Sequence, residues 1–423
     1  MPPVRISEQY KKTELKNGLR IVTETIPSVR SISLGVWVNT GSRNESEKEN
    51  GISHLIEHML FKGTTTRSAR DIASSLESIG GSINAFTSRE QTCYLARILD
   101  DHLEEAVDVL SDITCRATIT PANLKKEKMV IVEEIKESLD NPSDLIHDLF
   151  AETYWKKHPL GKTILGSIES VLNMPRKTIK DYIKNNYNSS SVVIAAAGSV
   201  SHNKLVKLVK KYFDFDKGDP NQPQSGDVTH KKNIKIKNNS INQTHLCLGF
   251  PSMSYSSKEK MPAYALSAYL GGGMSSVLFQ KIREERGLVY SVYTFLDTYK
   301  DSGIFGAYLG TDKKHVKEAY EICLKELKKV KQKKISTQKL DQIKAQLKGN
   351  ITLSLESTSN RMNRLGRQEL MTGKYVSIKQ TLRNIDRIKA TEVRELANKV
   401  FDYSKLTVAV LGPSRKSDLG YEI

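Results

Sequence analysis

The feature that most constrains this fold is that the second half of the sequence repeats the first. The stretch DDHLEEAVDVL in the first half resembles TDKKHVKEAYEI in the second, and other segments match in the same order. The corresponding positions are His102 and His315, Ile119 and Ile335, Thr178 and Thr391, and Gly198 and Gly412, separated by 213, 216, 213 and 214 residues. A nearly constant spacing indicates a duplicated structural unit.

Within each half, amphipathic helical patterns alternate with short β-branched runs such as Ile32–Val38 and Ser191–Gly198. This pattern predicts an α+β fold of two duplicated domains, each a mainly antiparallel sheet covered by helices. We expect the two layers to face each other across a cavity. A chain of 423 residues also exceeds one ordinary core. A polar stretch rich in Gly, Pro, Asn and Lys places an N-terminal domain at 1–215, a linker at 216–235 and a C-terminal domain at 236–423.

The composition favours an ordinary protein of the cytoplasm. No apolar run is long enough to span a bilayer, and the N-terminus lacks the features of a secretory or transit peptide. The cysteines lie far apart, which predicts reduced, buried thiols. They are Cys93, Cys115, Cys247 and Cys323.

A formal net charge of +17 raises the alternative of a protein that binds nucleic acid or an anionic membrane. The charge is spread thinly, however, and the densest run, Lys325–Lys334, follows a helical pattern typical of a solvated face. No nucleic-acid-binding module accompanies it. We therefore expect neither nucleic acid nor membrane as a partner.

The stretch Gly51–Lys62 (GISHLIEHMLFK) predicts a helix that carries a polar stripe. At about 100° per residue, His54, Glu57 and His58 share one face, and the opposite arc is apolar. Its apolar residues are Ile52, Leu55, Ile56, Met59 and Leu60. Two histidines four residues apart can converge on one zinc ion, and the glutamate beside them can take a proton from metal-bound water. The alternative is a pair of hydrogen-bonded core histidines.

A catalytic zinc site commonly has three protein ligands, so one more must come from elsewhere. A second predicted helix, Leu124–Glu137, provides a candidate. Its expected inward stripe is formed by Leu124, Val130, Ile131 and Ile135. Glu127 and Glu134 fall within this stripe, whereas Glu133 and Glu137 fall outside it. Because an inward carboxylate is costly unless paired or bound to a cation, Glu134 is the candidate third ligand and Glu127 a supporting acid. A salt-bridged helix is the alternative.

HLIEH is the inverted zinc motif H-x-x-E-H, and its wider setting resembles the pitrilysin family of metallopeptidases. The resemblance covers nearly the whole chain, including the NGLRIVTE, GGSINAFTSREQTCY, EKMVIVEEIKE and SSVLFQKIREERGLVYSV blocks. It is closest to compact bacterial members, which are similar to the catalytic subunit of the mitochondrial processing peptidase. It implies one zinc per chain held by His54, His58 and Glu134, with Glu57 as general base and Glu127 in support.

The resemblance also implies a substrate-binding strand and two residues from the second half. Family members align substrate along an edge strand that matches Ile83, Asn84, Ala85 and Phe86 here. Arg283 and Tyr290 match an arginine and a tyrosine that contact substrate carbonyls, and Tyr290 would stabilise the developing oxyanion. Without the resemblance, a surface arginine and a core tyrosine are the alternatives. The helical segment of the second half that corresponds to HLIEH has no metal motif.

These patterns predict a zinc-dependent endopeptidase that hydrolyses extended or unstructured peptides, presequence-like peptides among them. The alternative is a noncatalytic scaffold or partner subunit, because the family resemblance also includes members that have lost zinc ligands. Such relatives typically lack part of the motif. Here every ligand position is present, which favours the enzyme. Duplication lets one chain provide both cavity walls, although pairing into a homodimer stays open.

Overall fold

The computed structural model describes residues 9–222 and 230–420. The strands in these ranges are β1 (Gln9–Glu14), β2 (Arg20–Thr25), β3 (Ser31–Val38), β4 (Ser82–Thr87), β5 (Thr92–Leu99), β6 (Val192–Gly198), β7 (Asn233–Asn238), β8 (Thr244–Ser252), β9 (Val289–Thr298), β10 (Gly303–Thr311) and β11 (Thr407–Gly412). The helices are α1 (Ile52–Leu60), α2 (Ala69–Glu77), α3 (Leu103–Cys115), α4 (Pro121–Asp140), α5 (Pro142–Trp155), α6 (Ile168–Asn173), α7 (Arg176–Asn186), α8 (His202–Tyr212), α9 (Lys260–Gly271), α10 (Val316–Gln332), α11 (Thr337–Ser354), α12 (Thr358–Thr372), α13 (Ile378–Asp386) and α14 (Ala390–Val400).

The strands form two sheets with the same topology. The first has the order β1-β2-β6-β3-β5-β4 and the second β7-β11-β8-β10-β9. In each sheet one pair is parallel, β2 with β6 and β7 with β11, and the other pairs are antiparallel. The second sheet thus repeats the first without its β1 strand. The predicted α+β class and mainly antiparallel sheets are confirmed.

The final strand of each half gives local proof of the duplication. Gly198 ends β6 and Gly412 ends β11, with φ angles of 127° and 137°. A side chain at either position would collide with a backbone carbonyl, that of Ser31 or that of Gln243. Two corresponding glycines are therefore held in the same left-handed conformation by the same kind of close approach.

The structure forms two compact units that are not continuous in sequence. The first comprises 1–137, 162–226 and 353–379, and the second 138–161, 227–352 and 380–423, in both cases as far as the structure describes them. Helix α5 therefore belongs with the second sheet and α12 with the first. The predicted boundaries at 215 and 236 did not anticipate this exchange. Of the predicted linker, residues 223–229 lie outside the described residues, and β7 begins within its last part.

The central strands of each sheet are buried on both faces. In β3, Ile32, Leu34, Val36 and Val38 join the core formed with the helices that follow in sequence, while Trp37 points to the other face. That other face is covered by α12 through Met362 and Leu365. In the second unit, α5 covers the corresponding face through residues such as Phe150. The central strands β3, β6, β10 and β11 consequently consist largely of apolar residues and glycine, whereas the outer strands β1 and β7 are polar.

Several surface and composition features follow the sequence predictions. Cys93, Cys247 and Cys323 are buried, Cys115 is half-buried, and all four are free thiols. Most lysines of the 325–334 run are exposed on and just after α10. Among the described residues, none of the helices combines the length and apolar character needed to cross a membrane.

Candidate metal centre

The start of α1 is fixed by a glycine and a buried carboxylate. Gly51 adopts φ 93°, and a Cβ there would lie 2.7 Å from the carbonyl oxygen of Leu165. The Glu45 carboxylate accepts hydrogen bonds from the backbone N–H groups of Gly51 (2.8 Å) and Ser53 (2.9 Å). An anionic acceptor satisfies free N–H groups at a helix N-terminus and complements the helix dipole. Burial raises the pKa of Glu45, and these hydrogen bonds oppose that rise.

Helix α1 has the predicted two-sided character. Ile52, Leu55, Ile56, Met59 and Leu60 are all buried in the core of the first unit. The predicted polar stripe lies on the opposite side, where its three side chains are only partly buried. Apolar packing thus holds the helix in place and leaves the stripe free to contact other groups.

Helix α4 presents Glu127 and Glu134 next to that stripe, but the predicted inward face needs one correction. Val130 is 44% exposed, whereas Val132 is buried. The buried arc runs from Glu127 through Ile131 to Val132, so it is rotated away from Val130 at about 100° per residue. Glu134 consequently lies at the margin of the arc, with its side chain 38% exposed.

The three predicted ligands come together. The Glu134 Oε2 atom lies 3.8 Å from His54 Nε2 and 3.6 Å from His58 Nε2. One ligand atom from each residue lies within 4.8 Å of the others, and this is the one such group of three or more in the described part of the chain. Two imidazole nitrogens and one carboxylate oxygen are ligands that suit zinc and leave a fourth position for water.

Glu127 orients one of these imidazoles. Its Oε2 atom is 3.2 Å from Nδ1 of His58, and its Oε1 atom is 3.0 Å from Nζ of Lys62. A carboxylate that accepts a hydrogen bond from Nδ1–H leaves the Nε2 lone pair free for a metal. This contact is the one that the predicted supporting acid would make. Its partner Lys62 was not anticipated, although it follows the motif directly in sequence.

The protonation of the site also suits a cation. Burial, followed by the neighbouring His58, lowers the pKa of His54 to about 4, so its ring is neutral near pH 7 and can bind a metal. Its Nδ1 atom is buried and has no hydrogen-bond partner among the described residues. Burial raises the pKa of Glu57, although a hydrogen bond from Thr87 opposes the rise. A raised pKa is typical of a carboxylate that exchanges protons during catalysis.

The predicted substrate strand is the edge strand β4, which pairs with β5 on one side. Asn84 is exposed, Ala85 packs against the core, and the Phe86 ring meets the Trp37 ring edge to face at 5.5 Å. Thr87, the last residue of the strand, donates a hydrogen bond to Glu57. Sequence analysis missed Thr87, although alternation along the strand puts it on the same face as Ala85.

Arg283 and Tyr290 lie next to each other in the second unit. Arg283 belongs to a π-helical segment, Phe279–Glu284, and its guanidinium lies 4.8 Å from the centre of the Phe279 ring and 5.5 Å from that of Tyr290. Tyr290 is 74% exposed, so the alternative of a core tyrosine is wrong. It borders an open pocket of about 440 Å³ that Tyr293 and Tyr308 also line.

Two α+β units of similar topology, one of which brings three candidate metal ligands together beside the Glu57 carboxylate, define the class of candidate metalloproteases. Comparison with known families agrees. The "Insulinase (Peptidase family M16)" model matches residues 20–168, and the "Peptidase M16 inactive domain" model matches residues 173–347. The chain belongs to peptidase family M16, the family of insulinase and pitrilysin, as the resemblance predicted.

Full-length relatives bear this out. The chain is 40% identical to the uncharacterized zinc protease YmxG of Bacillus subtilis, over 96% of this chain and 98% of that protein. It is 38% identical to the uncharacterized zinc protease SCO5738 of Streptomyces coelicolor, over 95% and 89% of the two chains. The second family model is described as inactive, which agrees with a second half that lacks a metal motif.

Two solved structures share the fold. A protease from Helicobacter pylori superposes with a TM-score of 0.90 at 23% identity and covers 96% of this chain and 100% of its own. A peptidase M16 inactive domain from Pseudomonas fluorescens gives the same TM-score at 18% identity, with 96% and 99% covered. The two-unit architecture is therefore shared across distant sequences.

Proposed function

We propose that this protein is a zinc-dependent endopeptidase that binds one zinc per chain through His54, His58 and Glu134 and hydrolyses extended or unstructured peptides. The observation that carries the proposal is the convergence of these three ligand atoms within 4.8 Å, with Glu57 on the same face of α1. The names of the relatives support zinc as the metal.

The proposed chemistry assigns one task to each group. When bound, zinc supplies Lewis-acid chemistry that activates water and polarises a carbonyl. The Glu57 carboxylate takes the proton of the attacking water and delivers it to the leaving nitrogen of the peptide. Glu127 holds the His58 ring in the orientation that presents Nε2.

Substrate binding in this proposal uses the free edge of β4. An extended peptide would pair with the main chain of Asn84–Phe86 as an additional strand, a mode that depends little on side-chain identity. The family resemblance implies that this takes place inside a cavity between the two homologous halves. Folded proteins would then be excluded, and flexible peptides, presequence-like ones among them, would be cleaved.

Arg283 and Tyr290 are proposed to bind substrate carbonyls near the scissile bond. Two observations support this role: Tyr290 is mostly exposed, and Arg283 has no ion-pair partner among the described residues. In this position the Tyr290 hydroxyl would donate a hydrogen bond to the developing oxyanion.

The test compares wild type with Glu57→Gln, using peptide libraries analysed by mass spectrometry with and without a zinc chelator. The wild type should cleave in a chelator-sensitive manner. The variant should retain zinc by elemental analysis while its turnover falls by at least about 100-fold, because the proton acceptor is lost. Glu133→Gln, on the exposed side of α4, is the matched control and should cleave normally.

Two outcomes would contradict the proposal. Normal cleavage by Glu57→Gln would remove Glu57 from the mechanism. A zinc-loaded wild type that cleaves no peptide would favour the alternative of a noncatalytic scaffold or partner subunit.

A further inference from the structure

The Glu57 carboxylate is held at one oxygen and free at the other. The Thr87 hydroxyl donates to Oε2 of Glu57 at 2.5 Å. Within residues 9–222 and 230–420, this is the only hydrogen bond that the Glu57 carboxylate makes. The Oε1 atom is thus left without a hydrogen-bond partner in this part of the chain.

The backbone at Thr87 is held by strand pairing and by the turn that follows. Thr87 pairs with Thr92 of β5 and closes β4 just before a tight turn. In that turn the Ser88 N–H donates to the Gln91 carbonyl at 2.8 Å, and the Gln91 N–H donates to the Ser88 hydroxyl at 3.1 Å. Threonine is also stiff about χ1 because it is β-branched. The hydroxyl therefore has little freedom to move away from Glu57.

A buried ion pair fixes the turn from the other side. The side chain of Arg43 is fully buried, and its Nη1 lies 2.6 Å from Oε1 of Glu90. The Arg43 N–H also donates to the carbonyl of Arg89 at 2.7 Å. The position of the Thr87 hydroxyl is consequently set by the sheet and by the turn together.

We propose that Thr87 is a positioning residue for the hydrolytic reaction: its hydroxyl holds Oε2 of Glu57, so that Oε1 is presented to the attacking water. This inference rests on the proposed function, in which Glu57 is the proton acceptor. Thr87 lies directly after the residues proposed to pair with substrate. One strand, β4, therefore sets both the register of the peptide and the orientation of the base.

A purely structural role for Thr87 makes a different prediction. Threonine favours strands because of its shape, and valine has nearly the same shape without the hydroxyl. If only shape matters, Thr87→Val should be silent. Thr92 offers a matched control across the strand pair, because its buried hydroxyl donates to the Thr40 carbonyl at 3.0 Å and not to the site.

The experiment measures kcat, KM, bound zinc and thermal unfolding for Thr87→Val, Thr87→Ser and Thr92→Val, with a peptide that the wild type cleaves. We expect Thr87→Val to lower kcat by about 10- to 100-fold, since small misplacements of a reacting group have effects of this size. KM and zinc content should stay unchanged. Thr87→Ser should recover most of the lost kcat, and Thr92→Val should lower the unfolding temperature without the loss in kcat.

The inference is overturned by a wild-type kcat in Thr87→Val, by a Thr87→Ser variant as slow as Thr87→Val, or by a loss confined to KM or zinc content. These results differ from a failure of the proposed function. If the wild type cleaves and Glu57→Gln does not, a normal Thr87→Val removes this inference alone. If the wild type shows no chelator-sensitive cleavage, both fall.

Discussion

The duplicated helices α4 and α11 share a pattern of buried residues but differ at the positions of the candidate site. At the spacing of 216 residues set by Ile119 and Ile335, Leu124 corresponds to Leu340, and both are buried. At the same spacing Glu127 corresponds to Ile343, which is also buried, and Glu134 corresponds to the exposed Asn350. The matching helix therefore folds without the two acids, so the core of such a unit does not require them.

The helices that precede them differ in the same way. Helix α1 contains His54, Glu57 and His58, whereas α9, its counterpart by order in the chain, contains no histidine or acid. Ser267 of α9 instead makes a hydrogen bond with the Thr294 hydroxyl at 2.9 Å. One copy of the fold has the candidate metal centre, and the other has ordinary packing at the matching elements.

The largest expected effect comes from removing the third ligand and its counterpart. Glu134→Ala should weaken zinc binding by on the order of 1,000-fold, because the loss of one of three protein ligands removes several kcal/mol of binding free energy. Asn350→Ala should leave zinc binding unchanged. Elemental analysis after dialysis, followed by chelator competition, measures both. A full complement of zinc in Glu134→Ala would show that the two halves do not differ at this position in the way proposed.

A smaller effect is expected when the supporting acid is replaced by the residue of the second half. Glu127→Ile should lower zinc affinity by about 10- to 100-fold, as is typical when a carboxylate partner of a histidine ligand is lost. The metal-free protein should be as stable as wild type or more stable, since the corresponding helix α11 buries Ile343 at this position. Lys62 is 35% exposed and can turn to solvent. Urea unfolding without metal measures stability, and a large loss there would mean that Glu127 serves the core.

Sequence patterns could single out the residues of the candidate site because its geometry is local to two helices. Periodicity along α1 put His54, Glu57 and His58 on one face, and the same rule singled out Glu127 and Glu134. The rule was wrong for Val130, because it assigns a buried arc only to within about one residue. Helical periodicity could not identify Thr87, because its contact with Glu57 depends on where the end of a strand meets a helix.

The duplication predicted the two sheets but not the exchange of helices. An amphipathic pattern shows that a helix buries a face without showing which sheet it covers. Helices α5 and α12 correspond in the two halves, and each packs on the sheet built mainly from the other half of the sequence. The sequence signals for this exchange are two glycines, Gly249 and Gly366, that make room for aromatic rings, and such a signal is clear only once the partner ring is known.

The last expected effect is on stability alone; it concerns these two glycines and tests whether the halves remain equivalent away from the site. A Cβ at Gly366 of α12 would collide with the indole of Trp37, and one at Gly249 of β8 would lie 2.6 Å from Cζ of Phe150. Both rings are almost fully buried, so each alanine variant should lose about 1–3 kcal/mol of unfolding free energy through overpacking.

Gly349→Ala in α11 is the matched control for Gly366→Ala, because its Cβ would meet nothing within 4 Å. Alanine there should stabilise the protein by roughly 0.5–1 kcal/mol through helix propensity alone. Thermal unfolding of the three variants should therefore separate packing from propensity. If Gly366→Ala were as stabilising as Gly349→Ala while Gly249→Ala remained destabilising, the exchanged helices would not pack equivalently, and the symmetry of the two halves would be limited to their sheets.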